Sequence, residues 1–372
     1  MNINAAGIIF SNMHDEELHE ITTCRTMGSL PFGGRYRLID FTLSNMRNSG
    51  ITSIGVITKS NYQSLMNHLG SGKEWDLSRK RGGLFIFPPF GRTNSGFYKN
   101  KIEALYGIMT FIKKSRFDYF IISDCDVICN MNWEPPLGYH ISKNADITVI
   151  YCRKDSGQNQ NHNETVYTIS PDGFVTDLLI KQSLQEKSCI GTNMWIIGKE
   201  LLEKVLEEAI AHNLEDFERD IMQKRITQYK IAAWEFDGYI KKINSLSDFF
   251  YANMDILNPI VRDELFYQYG HIYTKVQDDL PARYGNKAAV SNSLIADGCI
   301  IEGNVENSIL FRGVQIGKNS KISNSIIMQG CKTGENVCLN YILADKNVVF
   351  NDNRMLVGYE LLPTYIKEGS NV

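Results

Sequence analysis

The sequence of 372 residues has no apolar run near the roughly 20 residues that a membrane span needs. Its formal net charge of −3 gives no basic excess for binding nucleic acid or an anionic membrane surface. The N-terminus lacks a basic segment and soon turns acidic, unlike a signal peptide. The eight cysteines include no Cys-x-x-Cys pair, and their spacing fits neither a zinc site nor a disulfide framework. These absences predict a cytoplasmic protein in a reducing compartment, with no nucleic-acid or membrane partner.

Residues 1–255 alternate strand-like apolar runs with amphipathic helical patterns. Alternation of this kind is typical of βαβ units and predicts an α/β domain with a mostly parallel sheet. Residues 256–285 lose this rhythm and are predicted to be a linker. The strand-like runs are Ala6–Phe10, Ser53–Thr58, Tyr119–Ile122, Asp146–Cys152 and Met194–Ile197, and helix-like stretches include Ile102–Lys114 and Glu200–His212.

Residues 286–372 carry a different period. Apolar residues recur every six positions, with Gly and Asn between them, whereas a helix repeats every 3.6 residues and a strand every two. A six-residue repeat with Gly and Asn corners predicts a parallel β-helix, and a β-sandwich of regular hairpins is the alternative. A step of only three residues, between Met328 and Cys331, predicts a short loop extruded from one coil. The repeating positions are Ile295 and Ile301, then Leu310, Ile316, Ile322 and Met328, then Cys331, Val337, Leu343 and Val349.

A block near the N-terminus carries a resemblance to a known family. It reads Pro31-Phe-Gly-Gly-Arg-Tyr-Arg-Leu-Ile-Asp-Phe-Thr-Leu-Ser-Asn45, followed by Asn48-Ser-Gly-Ile51. It resembles bacterial ADP-glucose pyrophosphorylases (glucose-1-phosphate adenylyltransferases), which transfer AMP from ATP to glucose 1-phosphate for glycogen synthesis. The resemblance implies a nucleotide-sugar transferase sheet domain of the Rossmann-like, GT-A type, followed by a left-handed parallel β-helix. Within the block, Leu38, Ile39 and Phe41 are expected to be core residues. Further matches are Asp216-Phe217, Ala252-Asn253, Ile272-Tyr273-Thr274 and the hexapeptide tail.

The chain departs from this family where the family binds its nucleotide. Family members carry a G-G-x-G-x-R-L loop after the first strand, whose glycines let the backbone approach the triphosphate and whose arginine adds positive charge. This chain has Asn12, Met13 and Asp15 in place of the glycines, and Glu17 in place of the arginine. Two like charges ~4 Å apart repel by about 4 kcal/mol at an effective dielectric near 20, so the acids should repel a triphosphate. Alternatively, these acidic residues cap a surface turn or simply lie exposed on it.

Basic residues that the family uses for phosphates are partly kept. Arg25 matches the arginine of the family's R-x-K-P segment, whereas Met27 replaces the lysine linked there to phosphate or effector contacts. Lys181 matches the sugar-phosphate lysine of the F-V-E-K-P segment and is either a ligand or a plain surface lysine. The resemblance therefore implies Arg25 and Lys181 as the remaining substrate-binding residues. The family's R-G-T segment reads Lys99-Asn100-Lys101 here.

The metal site is also altered. The family holds Mg²⁺ with two aspartates, because nucleotidyl transfer depends on a metal that neutralises the phosphates. Asp126 matches the first aspartate, but Lys242 stands at the second position, and an ammonium repels Mg²⁺. Asp126 is thus expected to be a vestigial ligand. The resemblance thus implies that the catalytic set is not intact, that this chain requires no cofactor, and that Mg²⁺ belongs to a catalytic partner.

Three functions follow from these observations. The combination resembles the regulatory, non-catalytic subunit that accompanies a catalytic ADP-glucose pyrophosphorylase subunit in glycogen biosynthesis. Such a chain is expected to form a hetero-oligomer, for instance a heterotetramer, and to bind a sugar-phosphate or nucleotide effector. The alternative is a stand-alone adenylyltransferase with relocated ligands. The third is a hexapeptide acyltransferase, which usually needs a histidine near its coils, yet His271, the last of seven, precedes the repeat.

Overall fold

The protein was analysed as a computed structural model, which describes residues 3–13, 15–89, 98–154, 164–182 and 188–372. Within these ranges the side chains of Glu17, His19, Lys154, Lys181 and Gln182 are not described. The chain forms a mixed α/β domain followed by parallel strands arranged in three sheets, which confirms the predicted fold class. All eight cysteines are free thiols.

The α/β domain is built on one nine-stranded sheet, in which β10-β9-β11-β6-β1-β4-β5 are neighbours and β8 joins β11 to β12. β1 pairs in parallel with β4 and β6, but β11 runs antiparallel to β6, β8 and β9. The expected mostly parallel sheet is therefore wrong, because β9 runs antiparallel to β10 and β11, and β11 also runs antiparallel to β6 and β8. The strands of this domain are β1 (Ala5–Phe10), β2 (Pro31–Phe32), β3 (Tyr36–Arg37), β4 (Ser53–Ile57), β5 (Gly83–Phe87), β6 (Tyr119–Asp124), β7 (Val127–Cys129), β8 (Ile147–Lys154), β9 (Glu164–Ile169), β10 (Val175–Gln182), β11 (Ser188–Gly198), β12 (Ile231–Glu235) and β13 (Ile240–Lys242).

Helices cover both faces of this sheet. The predicted helix Ile102–Lys114 is divided at Ile108, and the predicted linker contains a helix of its own, α9. None of the described helices is long and apolar enough to cross a bilayer. The helices are α1 (His19–Thr22), α2 (Leu38–Asn48), α3 (Gln63–Leu69), α4 (Lys101–Gly107), α5 (Met109–Lys114), α6 (Glu134–Ser142), α7 (Lys199–Ala211), α8 (Leu246–Asp255) and α9 (Pro259–Tyr267), with a π-helical turn at Phe217–Gln223.

The block that begins at Pro31 forms a turn and the start of a helix. Gly33 and Gly34 have positive φ values of 58° and 83°, which glycine adopts without strain, and they turn β2 back onto β3. The Arg37 backbone N–H then donates to the Asp40 carboxylate at 2.9 Å and begins α2. Leu38, Ile39 and Phe41 are fully buried, as expected of core residues.

The C-terminal domain has three five-stranded parallel sheets that wind around an apolar interior. Most repeating positions point inward, but Met328 and Leu343 belong to a cluster shared with the α/β domain. Val349 is 40% exposed, and its neighbours Val348 and Phe350 are buried instead. The step from Met328 to Cys331 is an ordinary corner, so the expected extruded loop is absent there. The longer excursion lies at residues 358–363, between β27 and β28. The strands are β14 (Arg283–Tyr284), β15 (Ala289–Ser291), β16 (Leu294–Ile295), β17 (Ile300–Ile301), β18 (Asn304–Glu306), β19 (Ile309–Leu310), β20 (Gln315–Ile316), β21 (Lys321–Ser323), β22 (Ile326–Ile327), β23 (Lys332–Thr333), β24 (Cys338–Asn340), β25 (Ile342–Ala344), β26 (Val349–Phe350), β27 (Met355–Val357) and β28 (Thr364–Ile366).

A ladder of asparagine side chains runs along one corner of the β-helix. The Asn292 amide donates to Asn307 at 2.9 Å, Asn307 to Asn324 at 2.5 Å, and Asn324 to Asn340 at 3.0 Å. Asn292, Asn307 and Asn324 have positive φ values of 40°, 46° and 45°, a region that asparagine tolerates better than other non-glycine residues. Each turn of the corner is thus held by a side-chain bond to the next.

One side of the β-helix packs laterally on the α/β domain. Ile309, Ile326 and Leu343, which point outward from three successive coils, share a buried cluster with Phe41 and Phe266. The outer face of the β-helix is apolar on this side. The two domains are therefore joined by a hydrophobic core of their own.

Candidate functional site

Three parallel strands end together at one edge of the α/β sheet. Phe10 is in register with Ile57 of β4 and with Asp124 of β6. Ligands of open α/β sheets bind outside the carboxyl ends of such strands. The segment that follows Phe10 and the segment around Asp126 therefore lie at the expected crevice.

The segment after β1 is held by its own side chains. The Asp15 carboxylate accepts the backbone N–H of Met27 at 2.7 Å, and the Asn12 carbonyl accepts the hydroxyl of Tyr98 at 3.0 Å. Burial raises the pKa of Tyr98, so its hydroxyl keeps the proton that it donates. The side chain of Glu17 lies outside the described residues. A carboxylate and a carboxamide thus fill the loop that the family lines with glycines.

Lys242 forms a buried ion pair at this crevice. Its Nζ lies 2.9 Å from Glu164 Oε2, and the two side chains are only 10% and 5% exposed. Asn244 donates to the other Glu164 oxygen at 2.8 Å. Because β13 pairs with β7 so that Lys242 lies opposite Val127, the ammonium is placed beside Asp126. Burial would lower the pKa of Lys242, but Glu164 and Asp126 raise it above its ordinary value, so the amine stays charged.

A second lysine lies at the same crevice. The Asn100 side chain accepts the Glu103 N–H at 2.9 Å and so begins α4, which places Lys101 at the first helical position. Lys101 Nζ is 2.8 Å from Asp124 Oδ2 and 4.8 Å from the centre of the Trp195 ring. Burial opposes the charge, whereas Asp124 and Glu218 raise the pKa of Lys101. The sequence offered Lys101 only as a departure from the R-G-T segment.

The residues present do not fit a magnesium ion. Asp126 is fully buried, and its carboxylate accepts the Asn193 amide at 3.2 Å. The position expected to supply a second carboxylate supplies the Lys242 ammonium. In the described part of the chain, no group of three or more His, Cys, Asp or Glu residues is arranged to hold a metal ion. The donor set therefore contains a cation where the metal would need an anion.

The crevice opens into a cleft of ≈ 330 Å³. Its charged lining is balanced, with three lysines and three acids, so it presents no positive excess to a phosphate group. The polar remainder includes Thr165, Asn193 and Asn244. The side chain of Lys181, predicted as a sugar-phosphate ligand, lies outside the described residues. The charged residues that line the cleft are Lys99, Lys101, Lys242, Glu215, Asp216 and Glu218.

Arg25, the other predicted substrate ligand, joins the two domains instead of lining this cleft. Its Nη1 and Nη2 each donate to one oxygen of Asp345 at 2.9 Å, and Nη2 also lies 2.6 Å from Glu368. Arg25 and Asp345 are 2% and 1% exposed. Tyr365 donates to the same carboxylate at 2.9 Å. The Arg25 guanidinium is thus paired with two carboxylates of the β-helix.

A second cleft, here called the interdomain cleft, lies between the domains. Its volume is ≈ 50 Å³, and its lining is strongly basic. Arg312 is 6% exposed, and its Nε has no hydrogen-bond partner among the described residues. None of the lining lysines and arginines comes within 4.0 Å of a described carboxylate. The cations come from four separate parts of the sequence, so no single local motif reveals the whole cluster: Arg35 and Arg37, Lys275, Arg312 and Lys346.

Comparison with known proteins agrees with this architecture. The nucleotidyl transferase family matches residues 7–258, and the GlmU-like C-terminal hexapeptide family matches residues 279–362. The glycogen biosynthesis protein GlgD of Bacillus subtilis (strain 168) is 33% identical over 368 residues, which cover 99% of this chain and 97% of that protein.

Enzymes are also among the relatives. A glucose-1-phosphate adenylyltransferase of Clostridium botulinum (strain Alaska E43 / Type E3) is 33% identical over 86% of this chain and 84% of its own length. That of Geobacillus stearothermophilus is 31% identical over 87% of this chain and 84% of its own length. The chain therefore belongs to the nucleotidyl transferase family, in the group that contains the glucose-1-phosphate adenylyltransferases and the glycogen biosynthesis protein GlgD.

Proposed function

We propose that this chain is a regulatory subunit of a glucose-1-phosphate adenylyltransferase of glycogen biosynthesis. It is silent by itself and enhances a catalytic homologue that makes ADP-glucose and pyrophosphate from ATP and glucose 1-phosphate. The observation that carries the proposal is the buried ion pair between Lys242 and Glu164, beside Asp126. Nucleotidyl transfer rests on a metal and on positioning of phosphates. An ammonium beside the matched aspartate, in a cleft without positive excess, supports loss of that chemistry.

A regulatory role also needs a place where an effector binds. The interdomain cleft supports this part of the proposal, because five cations converge there without carboxylate partners among the described residues. A phosphate group of a sugar phosphate or nucleotide is the ligand that such a cluster suits. Since the cleft is lined by both domains, a bound anion can favour one arrangement of the β-helix over another, which is what coupling requires.

The partner contact is proposed at the last coil of the β-helix, called here the terminal face, with the catalytic homologue as its occupant. In the sheet that contains β27, most residues of the preceding coils at the two outward columns are polar, including Lys321 and Glu306, but the last coil carries Met355 and Val357. The edge of β27 has no further strand beyond it in the described sheet. An apolar, unpaired edge is typical of an assembly surface. The exposed apolar side chains there are Met355, Val357, Tyr359, Leu361 and Leu362.

The test is to titrate this chain into a fixed amount of the catalytic homologue while pyrophosphate release from ATP and glucose 1-phosphate is measured. We expect no rate from the chain alone. With the homologue, the rate should rise to a plateau at a defined ratio, most simply two plus two, by a factor within the usual coupling range of about 5–150. Size-exclusion chromatography should show a mixed species. A flat rate without a mixed species contradicts the proposal, and turnover by the chain alone favours the stand-alone adenylyltransferase.

A further inference from the structure

We propose that Glu368 is an internal competitor for the anion that binds in the interdomain cleft, so that a phosphate group binds fully only when this carboxylate is displaced. The inference rests on the proposed effector role of the cleft. It adds a regulatory element, supplied by the last turn of the chain, that sets the anion concentration to which the protein responds.

Arg25 is shared between two carboxylates of very different accessibility. Asp345 holds it through two bonds and is 1% exposed, whereas Glu368 holds only Nη2, at 2.6 Å, and is 35% exposed. Glu368 also accepts a hydrogen bond from the Cys24 thiol at 3.3 Å. If Glu368 moved away, Arg25 would still be paired with Asp345. The outer carboxylate can therefore leave without stranding a buried charge.

Lys346 connects this pair to the interdomain cleft, since it lines the cleft and follows Asp345 in the chain. The turn that carries Glu368 is bonded directly beside it, because the Gly369 N–H donates to the Lys346 carbonyl at 2.9 Å. Burial, Arg25 and Arg37 lower the pKa of Lys346 to about 8, while Glu368 acts in the opposite direction. Lys346 therefore lies within electrostatic reach of both the cleft cations and Glu368.

Electrostatics then links Glu368 to anion binding. A carboxylate near Lys346 repels an incoming phosphate and offsets part of the positive charge that would attract it. Displacement of the Glu368 turn removes this charge from the neighbourhood of Lys346.

The experiment measures binding of inorganic phosphate to the full-length chain by isothermal titration calorimetry at constant ionic strength. The test variants are Glu368→Gln and Glu368→Ala, and both should bind phosphate about tenfold more tightly than the wild type, a change of about 1.4 kcal/mol. The matched control is Glu335→Gln, since Glu335 is an exposed β-helix carboxylate whose partner, Lys318, lies 4.0 Å away. It should bind like the wild type. Arg312→Gln locates the site and should abolish binding.

The outcomes separate this inference from the proposed effector role. If the wild type and both Glu368 variants bind equally and Arg312→Gln abolishes binding, the cleft binds anions but Glu368 does not compete. If the Glu368 variants bind and the wild type does not, competition is complete and the inference holds. If none of these proteins binds phosphate, or if Arg312→Gln binds unchanged, both the competition and the effector role of the cleft are wrong.

Discussion

Arg25 and Asp345, which are 320 positions apart, form a buried bidentate ion pair between the two domains, with both N–O distances at 2.9 Å. The planar guanidinium fits a carboxylate in one orientation, so the pair fixes direction as well as distance. The hydrophobic contact of Ile326 and Leu343 with Phe41 holds the domains together without such a constraint. The ion pair therefore gives the interdomain cleft a defined shape before any ligand arrives.

Replacing Asp345 with Asn should uncouple the two domains. The change removes the buried partner of Arg25 and leaves the partly exposed Glu368 paired with it. Removing one member of a buried ion pair typically lowers stability by about 3–5 kcal/mol. All four tryptophans lie in the α/β domain, so their fluorescence reports the unfolding of that domain alone: Trp75, Trp133, Trp195 and Trp234. We expect the fluorescence and far-UV circular dichroism transitions in urea to coincide in the wild type and to separate in the variant. Glu335→Gln serves as the control and should behave like the wild type. Coincident transitions in Asp345→Asn would contradict this prediction.

Two neighbouring lysines offer a matched comparison of buried and accessible ion pairs. Lys242→Gln should lower the free energy of unfolding by about 3 kcal/mol, because Glu164 is left as a buried, unpaired charge. Lys241→Gln should lower it by less than about 1 kcal/mol, since Lys241 and Asp255 are 25% and 33% exposed. Urea titration gives both values. Equal losses would mean that the Lys242 pair is not effectively buried.

Restoring an aspartate at position 242 should not restore catalysis. Lys242→Asp supplies the missing carboxylate, but Asp15 still accepts the Met27 N–H and Lys101 still pairs with Asp124. We expect pyrophosphate release at the background level for both wild type and variant, at any Mg²⁺ concentration. Turnover in the ordinary enzyme range of about 1–10³ s⁻¹ in either protein contradicts the expectation.

Lys346 should make anion binding in the interdomain cleft depend on pH. Because its pKa is lowered to about 8, the amine is charged below that pH and neutral above it. The affinity for inorganic sulfate, whose own charge is constant here, should fall as the pH rises from about 7 to about 9, since the cleft loses one cation. Lys346→Met should bind more weakly and lack this step. A wild-type affinity that stays constant across the range would contradict the role of Lys346.

The terminal face should be required for the mixed oligomer. Leu361 and Leu362 are 87% and 71% exposed, so replacing both with Asp should leave the fold of the chain intact. Desolvating two carboxylates at the centre of an apolar contact should weaken association with the catalytic homologue at least tenfold, as measured by analytical ultracentrifugation. Ile141→Asp, at an exposed position of α6, is the control. Unchanged association of the double variant would place the contact elsewhere.

The sequence predicts the β-helix because its coils repeat one backbone pattern, and the period is visible without knowing any contact. It does not predict corner lengths, so the step from Met328 to Cys331 looks like an insertion although it is a normal corner. The sequence does not predict the mixed sheet, for a similar reason. Apolar runs identify strands such as β11, but the direction of a strand depends on its connections.

The candidate site, too, can be predicted only in part from the sequence. Lys242 and Asp15 were found because they break a local motif. The partner of Lys242, Glu164, and the partner of Arg25, Asp345, are far away in the chain and become visible only when the fold brings them together. Arg25 shows the risk of transferring a role by position alone, because its partners in this chain are carboxylates of the β-helix.

The asparagine ladder gives the β-helix a polarity. From Asn292 to Asn340 every amide donates toward the C-terminus, so the ladder has an acceptor end and a donor end. A coil inserted between two of these asparagines could form both side-chain bonds, accepting from one neighbour and donating to the other, provided that it carried its own asparagine at this position. A coil that lacked one would leave a donor and an acceptor facing an empty position. Inserting or removing a whole coil is therefore compatible with the ladder only when the asparagine pattern is kept.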